Sequence, residues 1–338
     1  MNSLKANGDM RSVQYDRFSR ILSAAGVYAI IVFLFLIGII INRNFLTITN
    51  LKNVLMACAQ LGILCGGMGF ITYIGKMVDM SSPITISMSG IVAISCLRFG
   101  LWQCILLGIL ASALIGVVNG IVVGKFNANP IIWTLAMNFL VSGLVRWIFS
   151  NKVIYPDTAA AAFPALAAEF SLIARTNWLG LPISLWIMLA VIIIGQFLLV
   201  KTSFGKQLKV IGVNPDVARY SGINVTRNVI IAYILAALGA GIAGIFITSM
   251  GKVGAYYNGD GYDFMAATAI VLGGMTLSGG RGNMAGVLGG VITVKLLSNI
   301  QTFLGISTFV QNIITGIIFI LIVYLNSQSL RKLGRDNA

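Results

Sequence analysis

The chain has 338 residues, of which 58% are hydrophobic and 9% charged, and it carries a formal net charge of +14. Soluble domains carry about 25% charged residues, so this composition excludes a soluble globular protein, and its hydrophobicity excludes a disordered one. The chain has no histidine, and its four cysteines show no ligand spacing, which excludes a disulfide scaffold and an imidazole metal site. The composition is typical of a polytopic membrane protein.

Apolar runs long enough to cross a bilayer recur along the whole chain. A helix needs roughly 20 apolar residues to cross a hydrocarbon core of about 30 Å. The sequence predicts about ten transmembrane helices in one all-α membrane domain over residues 1–338, the eighth and ninth being short and glycine-rich. The predicted spans are 20–42, 51–74, 79–97, 101–124, 129–149, 179–200, 228–250, 263–280, 284–300 and 304–326.

The distribution of basic residues predicts the orientation. If the N-terminus is cytoplasmic, ten spans also place the C-terminus inside. Of the 23 basic residues, 15 then lie in cytoplasmic segments, six lie outside, and Arg146 and Lys295 fall within spans. This agrees with the positive-inside rule, with residues 1–19 and 327–338 as cytoplasmic ends. The net charge is therefore a topology signal and does not indicate a nucleic-acid partner.

Two longer polar stretches are predicted on opposite sides of the membrane. Residues 150–178 form an external loop, which Pro156 and Pro164 mark as the site of a short surface helix. Residues 201–227 form a cytoplasmic segment in which basic and apolar residues alternate. This pattern fits a helix on the anionic lipid surface and a docking surface for a cytosolic partner equally well.

Helix-interrupting segments occur in both halves of the chain, and the second of them is rich in glycine. Residues 127–130 open the fifth predicted span, and residues 273–282 interrupt the eighth and ninth. Paired interrupted helices in corresponding halves are typical of inverted-repeat transporters. We therefore predict an inverted repeat.

Catalytic and energy-coupling groups are scarce. The nine acidic residues are scattered and none lies in the middle of a span, which argues against a proton- or sodium-coupled carrier. The sequence also lacks the phosphate-binding GxxxxGK[ST] pattern. We expect no metal site, no catalytic residue and no cofactor in this chain, and we expect any energy to come from another subunit.

Uncharged polar residues within spans are the candidates for a solute path. Asn119 and Asn138, with Trp133 between them, lie near the interrupted fourth and fifth spans, and such amides beside an aromatic ring suit a neutral polyhydroxylated solute. Hydrogen bonding to a neighbouring helix is the simpler explanation for any one of them. The remaining members of this set are Gln60, Thr134, Gln196, Asn299, Gln311 and Asn312.

Small residues recur every four positions along three spans, which allows helices to approach closely in lipid. Packing within the subunit is the simpler explanation, and a subunit interface is the alternative. The stripes are Gly108, Ser112, Gly116, Gly120 and Gly124; Ala236, Ala240 and Gly244; and Gly282, Gly286 and Gly290.

Three stretches carry a family resemblance. The first is Asn119-Gly120 followed by residues 129–135 (NPIIWTL), the second is residues 202–223 with their TSFGK, GVN and SGI elements, and the third is residues 269–282 (AIVLGGMTLSGGRG). All three resemble motifs of the ribose-type, or carbohydrate, ABC importer permeases. Their order and spacing fit, and the resemblance covers about residues 50–325.

The resemblance implies a multi-pass permease subunit of a bacterial inner-membrane importer for a sugar or sugar-like solute. Its implied partners are an ATP-binding subunit that holds ATP and Mg, a second permease copy or homologue, an extracytoplasmic solute-binding protein, and membrane lipid. The segment 201–227 would couple to the ATPase, and the matching positions are Gly205, Asn214, Arg219, Ser221 and Gly222. The positions assigned to the substrate path are Asp79, Ser81, Asn119, Trp133, Thr134 and Asn138.

Two segments depart from the family pattern. Residues 76–83 (KMVDMSSP) keep Asp79 and Ser81 but lose glycines and gain Pro83, and residues 263–266 (DFMA) have Met265 where the family has a second acid. Both changes make these elements stiffer or more apolar. They raise the possibility of a solute other than the usual sugar, or of a heterodimer whose other subunit keeps the standard motif.

Other functions remain open on the sequence. A stand-alone facilitator or secondary carrier for a small polar solute is the main alternative, and the scarcity of buried acids argues against it. A membrane enzyme or scaffold acting on lipid fits least, because no nucleophile, metal or paired-acid constellation is present. A branched-chain amino-acid permease would share the same coupling architecture.

Overall fold

The computed structural model describes residues 27–76 and 78–335, and these form an all-α bundle with one short strand pair. The predicted segment 1–19 and the start of the first span lie outside the described residues. The helices are α1 (Val27–Ile41), α2 (Ile48–Tyr73), α3 (Ser82–Ser95), α4 (Leu101–Lys125), α5 (Pro130–Ile148), α6 (Pro156–Ala159), α7 (Pro164–Leu172), α8 (Ile183–Lys201), α9 (Ser203–Val213), α10 (Pro215–Tyr220), α11 (Val225–Gly251), α12 (Tyr262–Leu272), α13 (Met284–Phe303) and α14 (Thr308–Arg335). Strands β1 (Asn177–Trp178) and β2 (Leu181–Pro182) pair antiparallel, and 3₁₀ turns occupy Arg43–Leu46 and Leu97–Phe99.

Six of these helices, α2, α4, α5, α8, α11 and α13, are long and apolar enough to cross a membrane, and α1, α3, α12 and the first half of α14 are shorter apolar helices. The chain is thus an all-α polytopic membrane protein. Asparagine and threonine begin many of the helices: Asn129, for example, accepts hydrogen bonds from the amides of Ile131 and Ile132 at the start of α5. Such caps satisfy amides that have no partner within the helix.

Several boundaries differ from the sequence prediction. The third predicted span, 79–97, becomes helical only at Ser82, because Asp79 and the residues after it form a turn. The eighth, 263–280, ends at Leu272, because Gly274, Gly279 and Gly280 adopt positive φ angles that end a helix. The predicted tail from residue 327 continues α14 as far as Arg335.

Helices α2, α11 and α13 form the core of the bundle. In their apolar stretches 83%, 61% and 67% of the residues are buried, against 33% or less in α4, α5 and α8. Helix α11 packs against α2, α3 and α4, whereas α2 packs against α11, α12 and α13. A helix that is apolar and buried all round lies inside a bundle, so the outer helices carry the lipid-facing surface.

The small-residue stripes pack within the subunit, as the simpler explanation predicts. Gly116 and Gly120 of α4 lie against the backbone of α11, so that an added methyl group would meet Tyr233 or Ile230. Gly244 of α11 lies in the same way against the carbonyl of Ile86 in α3. Absent side chains therefore allow close backbone contact between neighbouring helices.

The two polar stretches occupy opposite ends of the bundle. Residues 150–178 contain strand β1 and helices α6 and α7, and these two helices pack near the start of α4 around Leu97 and Cys104. Residues 201–227 contain α9 and α10, and the Arg219 side chain donates to Asn127 just beyond the other end of α4. The 25-residue length of α4 separates the two regions.

Candidate functional site

A non-helical turn centred on Asp79 connects α2 and α3. The Asp79 carboxylate accepts hydrogen bonds from the Ser81 amide at 2.9 Å and from the Ser81 hydroxyl at 2.6 Å. The Ser82 hydroxyl donates to the Asp79 carbonyl. Side-chain bonds of this kind replace helical ones, so Asp79 and Ser81 hold a non-helical segment inside the bundle, where both are buried.

This turn is joined to α4 and α5 by a continuous polar network. The Asn119 amide donates to the Ser81 hydroxyl at 2.8 Å, and its oxygen accepts from the Trp133 indole at 3.0 Å. The Met80 amide donates to the Thr134 hydroxyl at 3.1 Å. Five of the six predicted path residues therefore meet in one cluster, which we call the α3 network: Asp79, Ser81, Asn119, Trp133 and Thr134.

The α3 network is closed to solvent. Asn119, Thr134 and Ser81 have no exposed surface, and Trp133 is half-buried. Each of these hydrogen bonds satisfies a polar group that would otherwise be costly to bury. In this conformation the network ties three helices together rather than lining an open passage.

The sixth predicted path residue, Asn138, lies apart and lines a cavity of about 330 Å³. The cavity is bounded by α5, by Ile84 of α3 and by the segment between α11 and α12. We call it the α5 cavity, and its lining is Ile84, Asn138, Phe139, Ser142, Gly143, Arg146, Tyr256 and Asp260.

A positive and a negative side chain face the α5 cavity. The Arg146 guanidinium lies 4.1 Å from the centre of the Tyr256 ring, a cation–π arrangement. Burial raises the pKa of the Asp260 carboxyl, and Arg146 partly offsets that rise. The cavity thus offers both donors and acceptors at the end of α5 that is remote from α9 and α10.

The segment of α9 and α10 contains the five residues assigned to coupling. Asn214 caps α10 by accepting from the amides of Asp216 and Val217, and Arg219 pairs with Asp216 at 3.0 Å. Ser221 and Gly222 form the exposed turn that follows, with Gly222 at φ +76°. These four residues thus shape one exposed helical corner.

Gly205 differs from the other four coupling residues because it is buried. It lies at the corner between α8 and α9, where an added methyl group would meet the carbonyls of Leu198 and Leu199. Glycine is therefore needed at position 205 so that α8 and α9 can pack closely. Gly205 can affect a docking surface only by positioning α9.

Glycines also join α9 to the loop that follows α12. The Gly280 amide donates to the Tyr73 carbonyl at 2.8 Å, and Gly212 of α9 lies against both groups. Gly75 and Gly279 contact each other in the same place. We call this meeting of α2, α9 and the 273–282 loop the glycine junction. Beside it, burial and the nearby Arg219 lower the pKa of Lys76.

Sequence reasoning missed several residues of these sites. Tyr256, Asp260 and Ser142 of the α5 cavity were not singled out, although Arg146 was noted as a basic residue within a span. The alternation of basic and apolar residues over 201–227 does indicate an amphipathic segment, and the structure identifies which apolar residues are exposed. Val217 and Tyr220, the latter 93% exposed, form the outer face of α10.

The two departures from the family pattern have local structural reasons. Pro83 lies in the first turn of α3, where proline is tolerated because that amide needs no helical partner. Met265 contacts the Lys295 ammonium at 3.5 Å through its sulfur, and that ammonium also lies 4.9 Å from the Tyr262 ring centre.

The fold is a bundle of apolar helices with broken helices inside it. It has a polar cavity at one end and an amphipathic corner at the other, and this combination defines a multi-pass membrane transport protein. The chain belongs to the family described as "Branched-chain amino acid transport system / permease component", which matches residues 50–323. It is therefore a permease component of an ABC importer in the inner membrane, and a transport subunit rather than an enzyme.

Curated relatives match nearly the whole chain. It is 32% identical over 322 residues to the L-arabinose transport system permease protein AraH of Escherichia coli, covering 95% of each chain. It is 32% identical over 318 residues to the ribose import permease protein RbsC of Bacillus subtilis, covering 91% of this chain and 94% of the relative. The probable ABC transporter permease protein YphD of Escherichia coli is 33% identical over 319 residues, covering 94% and 93%. No solved structure matches the chain.

Proposed function

We propose that the chain imports a sugar, with a pentose as the first candidate. The observation that carries this proposal is the match, along almost the full length of both chains, to relatives named for L-arabinose and ribose. The α5 cavity agrees with it, because hydrogen-bonding side chains outnumber the apolar ones, Ile84 and Phe139, in its lining. A branched-chain amino acid, which the family description names, would require more apolar surface.

The proposed topology has ten spans with both chain ends in the cytoplasm. Each predicted span has a helix in the described part of the chain, and the charge distribution assigns α9 and α10 to the cytoplasmic side. The four shorter helices, α1, α3, α12 and α14, would complete the set.

An inverted repeat relates α2–α5 to α11–α14 in this proposal. In each set a long first helix is followed by a short one, 14 residues in α3 and 11 in α12, and then by longer helices. The reciprocal packing of α2 and α11 supports the relation, because each contacts the second and third helices of the other set. Ten spans would make α2 and α11 run in opposite directions.

The exposed corner formed by α9 and α10 is the proposed docking site for the ATP-binding subunit, which would hold ATP and Mg. Val213, Val217 and Tyr220 present apolar surface beside Arg219, a combination that suits a protein partner. The glycine junction links this corner to α2 and to the loop after α12. Movement of the corner would therefore reach the inside of the bundle.

The proposed substrate path runs from the α5 cavity toward the α3 network. Asn138 lies one helical turn from Thr134, so the network closes the inner side of the cavity. The five network residues would meet the solute only after α3, α4 and α5 separate. A second permease copy or homologue and an extracytoplasmic binding protein would complete the importer, embedded in membrane lipid.

Reconstituted uptake tests the function. Proteoliposomes holding the permease with its ATPase and binding protein are given labelled L-arabinose, D-ribose and L-leucine in separate assays. We expect ATP-dependent accumulation of a sugar and none of leucine. Leucine uptake would identify an amino-acid permease, and sugar uptake by the permease alone without ATP would identify a facilitator.

Co-purification tests the docking corner. Tyr220→Ala combined with Arg219→Glu should reduce the recovered ATPase about tenfold or more while membrane insertion stays normal, because exposed anchors carry much of an interface's energy. Lys152→Glu combined with Tyr155→Ala makes the same kind of change at exposed positions near the opposite end of the bundle and is the matched control. Gly205→Trp would not distinguish loss of docking from loss of packing, because it places a large side chain at a buried glycine. Undiminished ATPase recovery would remove the docking role and leave α9 and α10 as a lipid-surface segment.

A further inference from the structure

We propose that the α5 cavity is a monosaccharide-binding site of the permease itself, in which Asn138, Ser142 and Arg146 contact sugar hydroxyls and Tyr256 packs against the sugar ring. This inference rests on the proposed sugar import. It adds a place within the membrane subunit where the sugar is held after release from the binding protein.

The first argument is the arrangement of polar groups on α5. Asn138, Ser142 and Arg146 are spaced four residues apart, so they share one helical face. The exposed surface of α5 outside the cavity is strongly apolar, as in Leu140 and Trp147. A row of polar side chains at membrane depth is costly unless it pairs with something polar. Among the described residues, no hydrogen bond or ion pair is found for the Arg146 side chain, which leaves its donors available.

The second argument is charge balance. Arg146 and Asp260 face the same cavity, so the site has no large net charge for an ion to satisfy. An anion would lie near the Asp260 carboxylate, and a cation near the guanidinium. A neutral solute with many hydroxyls can accept from Arg146 and donate to Asp260 at the same time.

The third argument is size and shape. Small-molecule sites begin at about 300 Å³, so a cavity of about 330 Å³ matches the size of one sugar ring. The Tyr256 ring forms part of the wall, with Tyr257 packed against it at 5.1 Å between ring centres. Such an aromatic wall suits the apolar C–H face of a sugar, while the amide and guanidinium suit its hydroxyls.

Filling the cavity is the cleanest test. Gly143 lines it, and a methyl group added there meets no atom within 4 Å, so Gly143→Leu enters the cavity without disturbing packing. Gly316 in α14 has the same open surroundings, so Gly316→Leu is the matched control. With the assembled importer in proteoliposomes, we expect Gly143→Leu to lower sugar uptake about tenfold or more, and Gly316→Leu to leave it unchanged.

Removing polar contacts tests specificity. Asn138→Leu and Arg146→Leu should each raise the apparent KM about tenfold and change the uptake ratio of L-arabinose to D-ribose, because lost hydrogen bonds discriminate between hydroxyl patterns. Arg98→Leu removes another basic side chain that lies over an aromatic ring but is outside the cavity, and should change neither quantity. ATP hydrolysis stimulated by the loaded binding protein should persist in all variants.

The outcomes separate this inference from the proposed function. A wild-type importer that moves no sugar would overturn both. Wild-type sugar uptake with unchanged kinetics in Gly143→Leu, Asn138→Leu and Arg146→Leu would overturn the binding site alone. Loss of uptake together with loss of the assembled complex would also overturn it, because the cavity would then belong to an interface between subunits.

Discussion

At the scale of single residues, the α3 network shows how buried polar groups hold a broken helix in place. Asn119 is its centre, since it bonds Ser81 on one side and Trp133 on the other. An amide is suited to this position because it both donates and accepts. Its type and approximate location could be predicted from the sequence, but its partners could not, because they come from two other helices.

Asn119→Leu should lower the free energy of unfolding by about 1–3 kcal/mol, because the Ser81 hydroxyl and the Trp133 indole each lose a buried partner. Uptake should fall as well. Thermal unfolding of the detergent-purified chain measures the effect. Trp133→Phe removes only the indole donor, so the double variant should be less destabilised than the sum of the two single variants. Strict additivity would show that Asn119 and Trp133 act independently.

Lys295 is a partly buried cation whose neighbours are an aromatic ring and a sulfur atom. Its ammonium contacts the Met265 sulfur and the Tyr262 ring, and no acid lies within 4 Å of it among the described residues. Lys295→Met should therefore raise the melting temperature by about 2 °C or more, because it removes a cation that lacks an ionic partner. Lys152→Met, at an exposed position, is the control. A lower melting temperature in Lys295→Met would mean that the ring and sulfur contacts outweigh the cost of burial.

At the scale of elements, glycine determines which helices can meet. Helix α9 approaches the end of α2 and the 273–282 loop only because Gly212, Gly279 and Gly280 have no side chains there. The sequence indicated a glycine-rich interruption after α12 but not that it reaches the amphipathic segment 201–227. That contact joins residues almost 70 positions apart, which no local pattern encodes.

Gly212→Val should reduce uptake about tenfold or more while leaving insertion intact, because the new side chain would push α9 away from the carbonyl of Tyr73 and from Gly280. ATP hydrolysis by the bound ATPase should become independent of the solute-binding protein. Gly316→Val, at a glycine of α14 where an added methyl group meets no atom within 4 Å, provides the comparison. Normal coupled uptake in Gly212→Val would show that close contact at the glycine junction is dispensable.

At the scale of the whole molecule, the bundle separates two polar ends with different tasks. Residues 150–178 and the α5 cavity lie toward one end, and α9 and α10 lie at the other. The charge distribution predicts that the second end faces the cytoplasm. The proposed solute site in the α5 cavity and the proposed ATPase docking site on α9 and α10 are therefore connected only through the helices between them.

Reporter cysteines test this topology. In a chain whose four native cysteines are replaced by alanine, Leu179→Cys should react with a membrane-impermeant maleimide in intact spheroplasts. Tyr220→Cys should react only after permeabilisation. Both positions are strongly exposed, at 75% and 93%, so in cells that lack the ATP-binding subunit their accessibility is limited by the membrane alone. The reverse labelling pattern would invert the proposed orientation.

The sequence by itself determined the class of protein, the approximate positions of the helices and the family, because hydropathy runs, charge bias and short motifs are local properties of the chain. The tertiary structure decided where α3 begins and α12 ends, and it brought five predicted path residues into one closed network. It also separated Asn138 from them and placed it in a cavity with Arg146, Tyr256 and Asp260. These features depend on hydrogen bonds and close contacts between distant segments, and such contacts exist only once the helices have packed.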